Sequence, residues 1–304
     1  MTMHDDQPYR LTAVDVLALH RRVDELRAAI RAVVPHAQVE HVGATAVPGL
    51  PTKGDLDLQV RVHRERFNDA RAALAQRFRP YDHAYQAPDG ASFDVEHPHV
   101  PAMLHLTVID SDADEQWVYR ELLREDVALL SSFRQLRHAY EGRPMGEWRA
   151  AKAKVFEGLK GDPRFARTRA LAHFPARLDL PVQWGEMDSY GHVNNVVYLR
   201  WFESARMVLF KLLDFTSNTG TGPILASTTC RYKAPLYQGD VVTAAGRVVD
   251  VAHDRFVIEH ALWSRDVGRV AAVGEAHIVA YDYGRKQKGT LPDDFRERLE
   301  RLGG

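Results

Sequence analysis

Residues 184–213, WGEMDSYGHVNNVVYLRWFESARMVLFKLL, decide the fold of the C-terminal half of the chain. A polar turn carrying Asp188, Gly191, His192, Asn194 and Asn195 runs directly into a helix. From Val196 onward, Val197, Tyr198, Leu199, Trp201, Phe202, Met207, Val208, Leu209, Phe210, Leu212 and Leu213 occupy most of that helix's circumference. A helix apolar on nearly every side is a buried one. Arg200, Glu203, Arg206 and Lys211 interrupt it too often for a membrane span. Downstream, the runs ILASTTCRYKAP, DVVTAAGRVVDVA, RFVIEHALWSR and RVAAVGEAHIVAYD read as strands, with turns such as AHD and DVG between them. One central helix with an antiparallel sheet curled round it is the economical way to bury both.

The N-terminal half has a different texture, helices alternating with short strands from Thr12 to Lys160. Val16, Leu19, Val23, Leu26, Ile30 and Val33 form one helical stripe, with Thr12 as the expected cap, Asp15 in the capping-box position, and Pro35 as the stop. QVEHVG predicts a strand. In DLDLQVRV, Leu56, Leu58, Val60 and Val62 point one way and Asp55, Asp57, Gln59 and Arg61 the other. Helices are expected over 64–77, 114–139 and 147–159, and MLHLTVI predicts a strand with His105 on its polar side. The basic segment KGDPRFARTRALAHFP has weak periodicity and marks the boundary. The expected organisation is a domain over 1–162, a linker over 163–175 and a second domain over 176–304.

Asp55 and Asp57 lie two positions apart on one face of a strand that follows the glycine turn HVGATAVPG. Two carboxylates so placed suit magnesium, which takes a few acids together with phosphate and water. The turn at Gly43 lets backbone N–H groups approach a phosphate. A solvated outer sheet face would look the same in spacing, so both readings stand at this point.

Composition narrows the function classes. The chain has 304 residues, 40 Lys and Arg against 41 Asp and Glu, and a formal net charge of −1. Neither nucleic acid nor an anionic membrane is an expected partner. Cys230 is the single cysteine, which excludes an intrachain disulfide and fits a reducing compartment. The opening MTMHDDQPYR lacks the apolar core of a signal peptide, and the expected location is cytoplasmic. No histidine or cysteine spacing matches a zinc motif.

The region 11–159 resembles the GrpB family of the nucleotidyltransferase superfamily, through HVGATAVPGLPTKGDLDL, LHLTV, VYRELLRED and the neighbourhood of Tyr140 and Lys152. The resemblance implies a nucleotidyltransferase-like α/β domain binding a nucleotide or CoA through Gly43, Thr45, Lys53 and His105, with magnesium on Asp55 and Asp57. The family pattern has Ser where Ala44 stands, and a third carboxylate is missing, His105 occupying the corresponding face; Asp94 is an outside candidate for that acid.

Residues 177–283 resemble the acyl-CoA thioesterases of the 4-hydroxybenzoyl-CoA thioesterase type, through MDSYGHVNNVVYLRWFESAR and CRYKAPLYQGDVV. This implies a hotdog domain, giving an overall α+β chain, and thioester hydrolysis without a cofactor. Asp188 would be nucleophile or general base, and the N–H groups of Asn195 and Val196 at the helix start would stabilise the oxyanion. His192 would orient Asp188 or polarise the carbonyl, Glu203 would be a second acid, Gly191 would let the turn approach substrate, and Arg231 and Lys233 would meet CoA phosphates. Domains of this type place their site at a subunit interface, so a homodimer or homotetramer is expected. The alternatives are magnesium-dependent nucleotidyl transfer by the first domain and a non-catalytic acyl-CoA sensor.

Overall fold

The computed structural model describes residues 5–81, 87–214 and 220–303, and divides into two compact units, 1–165 and 166–304. Residues 1–4 of the polar opening stretch lie outside the described residues.

In the first unit, helix α1 (Val16–Val33) is capped by Asp15, whose side chain accepts from the N–H groups of Leu17 and Ala18. Thr12, the expected cap, instead bridges Thr52. Asp takes the cap because its carboxylate reaches two orphan donors at once. Strands β1 (Gln38–Val42) and β2 (Leu56–Val62) follow, then α2 (Phe67–Arg77), β3 (Arg79–Pro80), β4 (Gly90–Val95) and β5 (Ala102–Val108). The sheet order is β1-β2-β5-β4-β3, with only β2 and β5 parallel. Leu56, Leu58, Val60 and Val62 pack with Leu104 and Leu106 against Leu19, Val23, Leu26 and Ile30 of α1 and Phe67 and Leu74 of α2. Each such side chain contributes roughly 1.5–3 kcal/mol on burial.

The opposite sheet face is not solvated. Residues of α3 (Gln116–Glu125), α4 (Val127–Ala139) and α5 (Met145–Lys160) enclose a cavity over it. The expected single helix over 114–139 is two, because Asp126 leaves the helical region (φ −112°, ψ 102°) and caps α4 at Ala128 and Leu129. Gln59 and Arg61 are buried on this face. Arg61 makes a bidentate pair with Asp114 at 2.6 and 2.7 Å, and Gln59 joins the same carboxylate at 3.0 Å.

Residues 163–175, expected as a linker, contain helix α6 (Pro163–Ala170) and place Leu171 and Phe174 in a cluster with Ala245, Ala261 and Trp263. Apolar residues hidden in a basic, weakly periodic segment explain the difference.

The second unit has β6 (Ala176–Pro181), helix α7 (Asn195–Leu212), β7 (Thr221–Thr228), β8 (Arg231–Tyr232), β9 (Val241–Val251), β10 (Arg255–Ser264), β11 (Arg269–Asp282), β12 (Gln287–Lys288) and α8 (Asp293–Gly303). Its seven strands pair antiparallel in the order β12-β11-β10-β9-β6, with β7 and β8 also on β11. Helix α7 packs on β6, β9 and β10, which is the hotdog arrangement. The helix is not buried all round. Val197, Tyr198, Trp201, Phe202, Ala205, Leu209 and Phe210 face the core, whereas Val196, Met207 and Leu212 are exposed. Helix α8 was not expected; its Phe295 and Leu299 are buried beside Phe256 and Val248. No helix among the described residues is long and apolar enough to cross a membrane.

Candidate functional site

The C-terminal candidate site is built where β6 hands over to α7. Glu186 closes a short 3-10 turn by accepting from the Gln183 N–H at 2.8 Å and pairs with Arg200. The chain then forms a tight loop. The Asp188 N–H donates to the His192 carbonyl at 2.7 Å, and Asp188 Oδ1 accepts from the N–H groups of Tyr190 (2.8 Å) and His192 (3.1 Å). Gly191 sits at φ +76°, a conformation that favours glycine. Asp188 Oδ2 has no hydrogen-bond partner among the described residues. The carboxylate is therefore fixed through one oxygen and open at the other.

Two further bonds set the helix start against this loop. The Val193 N–H reaches the Leu236 carbonyl at 2.9 Å and the Asn194 N–H reaches the Glu186 carbonyl at 2.8 Å. Asn194 is the N-cap, and its side-chain oxygen accepts from the Val196 N–H at 3.1 Å. Of the two amides expected to face an oxyanion, Val196 is thus already engaged. The Asn195 N–H, one residue earlier, has no partner among the described residues. The Asn195 carbonyl accepts from the Tyr232 hydroxyl at 3.1 Å.

The remaining expected residues are dispersed. The His192 ring stands edge-on to Tyr237 at 5.3 Å, and His192 meets Asp188 through its backbone rather than its imidazole. Glu203 is 61% exposed, pairs with Arg206 at 3.7 Å and lies eight residues along α7 from Asn195, about 12 Å away by helical rise. Among the described residues nothing joins it to Asp188. Arg231 and Lys233 are exposed around the short strand β8, and neither is in an ion pair among the described residues. Trp184, Tyr190, Val196, Tyr232 and Tyr237 surround the loop as exposed apolar surface, and periodicity gave no sign of that rim.

The first unit holds a cavity of about 260 Å³ over the polar face of its sheet. Gly43, Lys53, Asp55, Asp57 and His105, all expected, line it; Thr45 does not, and its hydroxyl bonds to His41 Nε2 at 2.9 Å. Gly43 has φ +73°, and a Cβ there would stand 2.2 Å from Asp57 Oδ2, so only glycine permits this approach. Asp94, the outside candidate for a third acid, is paired with Arg79 and lines no part of the cavity. Lys53 Nζ is 2.5 Å from Asp55, and His105 Nε2 is 3.2 Å from Asp57. Burial and the neighbouring Asp57 carboxylate raise Asp55 above the ordinary carboxylate range, against the pull of Lys53. Burial pushes Asp57 the same way, but the His105 hydrogen bond and the nearby Lys53 and Lys152 outweigh it and hold Asp57 low.

Helices α3, α4 and α5 add the rest of the wall. Trp148, Lys152 and Phe156 recur every fourth residue and share one face of α5; Phe133 and Arg137 do the same on α4. Arg137 was missed in the sequence, although a cation at helical spacing from Phe133 is the available signal. Burial lowers the pKa of both Lys152 and Arg137.

Residues 182–299 match the thioesterase-like superfamily. Residues 17–160 match the family described as GrpB protein. Among solved structures, the chain is similar to a thioesterase from Thermus thermophilus determined with coenzyme A and zinc, at 30% identity over 43% of this chain and 97% of that one, TM-score 0.39. It is similar to a thioesterase superfamily protein from Jannaschia sp., at 28% identity over 45% and 90%, TM-score 0.40. It is also similar to a 1,4-dihydroxy-2-naphthoyl-CoA thioesterase from Synechocystis, at 16% identity over 42% and 97%, TM-score 0.38. No curated protein matches the chain. The chain thus joins a segment that matches GrpB protein to a hotdog segment that matches the thioesterase-like superfamily, and a hydrolase acting on thioesters is the activity class the latter match supports.

Proposed function

We propose that the hotdog segment hydrolyses acyl-CoA thioesters, with Asp188 as nucleophile or general base. The single observation that carries this reading is the asymmetric Asp188 carboxylate. Oδ1 is spent on two backbone N–H groups while Oδ2 stays unpaired, seven residues before the unpaired Asn195 N–H at the start of α7. As base, Asp188 takes a proton from water as the hydroxide oxygen bonds to the carbonyl carbon. The C–S bond then breaks, and the thiolate leaves to be protonated. As nucleophile, Asp188 adds to the carbonyl carbon, the C–S bond breaks and the thiolate leaves to be protonated. Water then opens the resulting acyl anhydride to release the acid and return the Asp188 carboxylate. In either case the Asn195 N–H and the helix dipole stabilise the oxyanion.

Arg231 and Lys233 supply free positive charge for CoA phosphates, and the exposed Tyr190, Val196 and Tyr232 offer apolar surface for an acyl group. Among the described residues strand β7 pairs with β11 alone, and it exposes Ile224 and Leu225. An open apolar edge of this kind invites a second copy, so the assembly proposed is a homodimer or a homotetramer, in which Glu203 serves the partner's site. The deciding experiment measures thiol release from a panel of acyl-CoA esters by the wild type and by Asp188→Asn. Release that persists undiminished in the variant removes the assignment of Asp188. Absence of release across the panel in the wild type, with acyl-CoA still bound, favours the sensor reading.

A further inference from the structure

The cavity of the first unit has a charge pattern that the magnesium reading does not use. Three carboxylates line it, and each already has a basic partner: Asp55 has Lys53 at 2.5 Å, Asp57 has His105 at 3.2 Å, and Glu115 has Lys160 at 2.9 Å. The second oxygen of Asp57 is pressed against Gly43. Among the described residues no group of three His, Cys, Asp or Glu is arranged to hold a metal ion. Magnesium requires several accessible oxygen ligands, and this donor set does not fit it.

Two cations are left over. Arg137 is 5% exposed, its Nε is buried without a hydrogen-bond partner, and no carboxylate pairs with it among the described residues. Its guanidinium stands 5.0 Å over the Trp148 ring and 5.7 Å over that of Tyr9, contacts that leave its N–H donors unspent. Lys152, partly buried, likewise has no ion pair or hydrogen bond among the described residues; it feels the Asp57 and Asp55 carboxylates, whose own bonds go to His105 and Lys53, together with the like charges of Lys53 and Arg137. Two positive charges withdrawn from water and facing one cavity are costly unless an anion completes them. A carboxylate ligand would bring a single charge. A phosphate monoester brings about −1.5 to −2 and three acceptor oxygens, which matches a planar guanidinium fork plus one ammonium.

We propose that this cavity is a metal-independent receptor for a phosphoryl group, with Arg137 and Lys152 as its ligands and the rings of Trp148, Phe156 and Tyr119 forming the wall beside it. The volume of about 260 Å³ suits a small metabolite rather than a polymer. The site is independent of Asp188 and stands whether or not the hotdog segment hydrolyses thioesters.

Titration calorimetry on the full chain in the presence of EDTA tests this, with inorganic phosphate, pyrophosphate, AMP and adenosine as probes. At least one of the phosphorylated probes binds without metal, and adenosine binds at least tenfold more weakly than AMP if the phosphoryl group is carried on an ester. Tighter binding of phosphate or pyrophosphate than of AMP assigns the site to the free anion. Lys152→Met weakens the best probe tenfold or more, and Lys152→Arg restores binding, with circular dichroism confirming that both variants fold. The proposal is overturned if no phosphorylated probe binds, if binding appears only when magnesium replaces EDTA, or if Lys152→Met binds as the wild type does.

Discussion

Asp188 and His192 hold each other through the main chain: the Asp188 N–H donates to the His192 carbonyl at 2.7 Å, and the His192 N–H donates back to Asp188 Oδ1 at 3.1 Å. The imidazole takes no part in this exchange. One carboxylate oxygen therefore acts as a structural acceptor and the other is available for chemistry.

That division makes Asp188→Asn informative. The amide oxygen of Asn can still accept from Tyr190 and His192, so the loop survives, while the charge is lost. The expected result is a fall in kcat of roughly 10²–10⁴ with little change in Tm. Acyl-CoA turnover and a thermal melt on the same sample check it. A large drop in Tm together with the loss of rate would assign the carboxylate to loop structure instead.

Asn194 caps α7 with its side chain on the Val196 N–H at 3.1 Å. Replacing it with Ala removes that acceptor and costs about 1 kcal/mol, while Asn194→Asp keeps the cap. Urea denaturation of the two variants side by side gives the difference, and equal stabilities would show that the cap contributes nothing.

His260 is fully buried in the hotdog core, stacked on Phe202 at 4.9 Å. Burial holds its pKa down to about 4, against a hydrogen bond to the Ala245 carbonyl. The folded pKa lies below the ordinary value of 6.5, so the unfolded chain binds the proton first as pH falls. The stability from neutral His260 is fully present above about pH 6.5 and is lost progressively down to about pH 4, by ~3 kcal/mol in all. His260→Gln should flatten the slope of unfolding free energy between about pH 7 and pH 4.5. A variant whose slope equals that of the wild type would place the pH dependence elsewhere.

Asp114 is completely buried and receives Arg61 through two bonds, Gln59 through a third and the Asp110 N–H through a fourth. Asp114→Ala strands a buried guanidinium beneath α3. The expected destabilisation is about 3–5 kcal/mol, read from the denaturant midpoint of the first unit. A loss under about 1 kcal/mol would mean that water reaches Arg61.

Much of both folds was legible because it is local. The alternation in 55–62 separates Leu56, Leu58, Val60 and Val62 from Asp57, Gln59 and Arg61 just as the sheet does. The polar turn before Val196 marks the start of the long helix, and Gly43 and Gly191 stand at left-handed positions. What failed was also local but competitive. Asp126 resembles a helical surface acid, yet its backbone turns out and caps a second helix. Phe295 and Leu299 carry too short a stripe among charges to announce α8.

Apart from α6, α8 and the break at Asp126, the amino-acid order by itself marked the long helices and strands, and it placed Asp188 next to a helix start and Asp55 and Asp57 on one strand face. Only the tertiary structure decided which groups remain unpaired. Partners such as Lys160 for Glu115 and His105 for Asp57 come from distant elements. So does the enclosure that leaves Arg137 and Lys152 without a hydrogen-bonded or ion-paired partner among the described residues. Backbone periodicity is set by near neighbours along the chain. Charge compensation is set by whatever packing brings within a few ångströms, and that has no signature in sequence spacing.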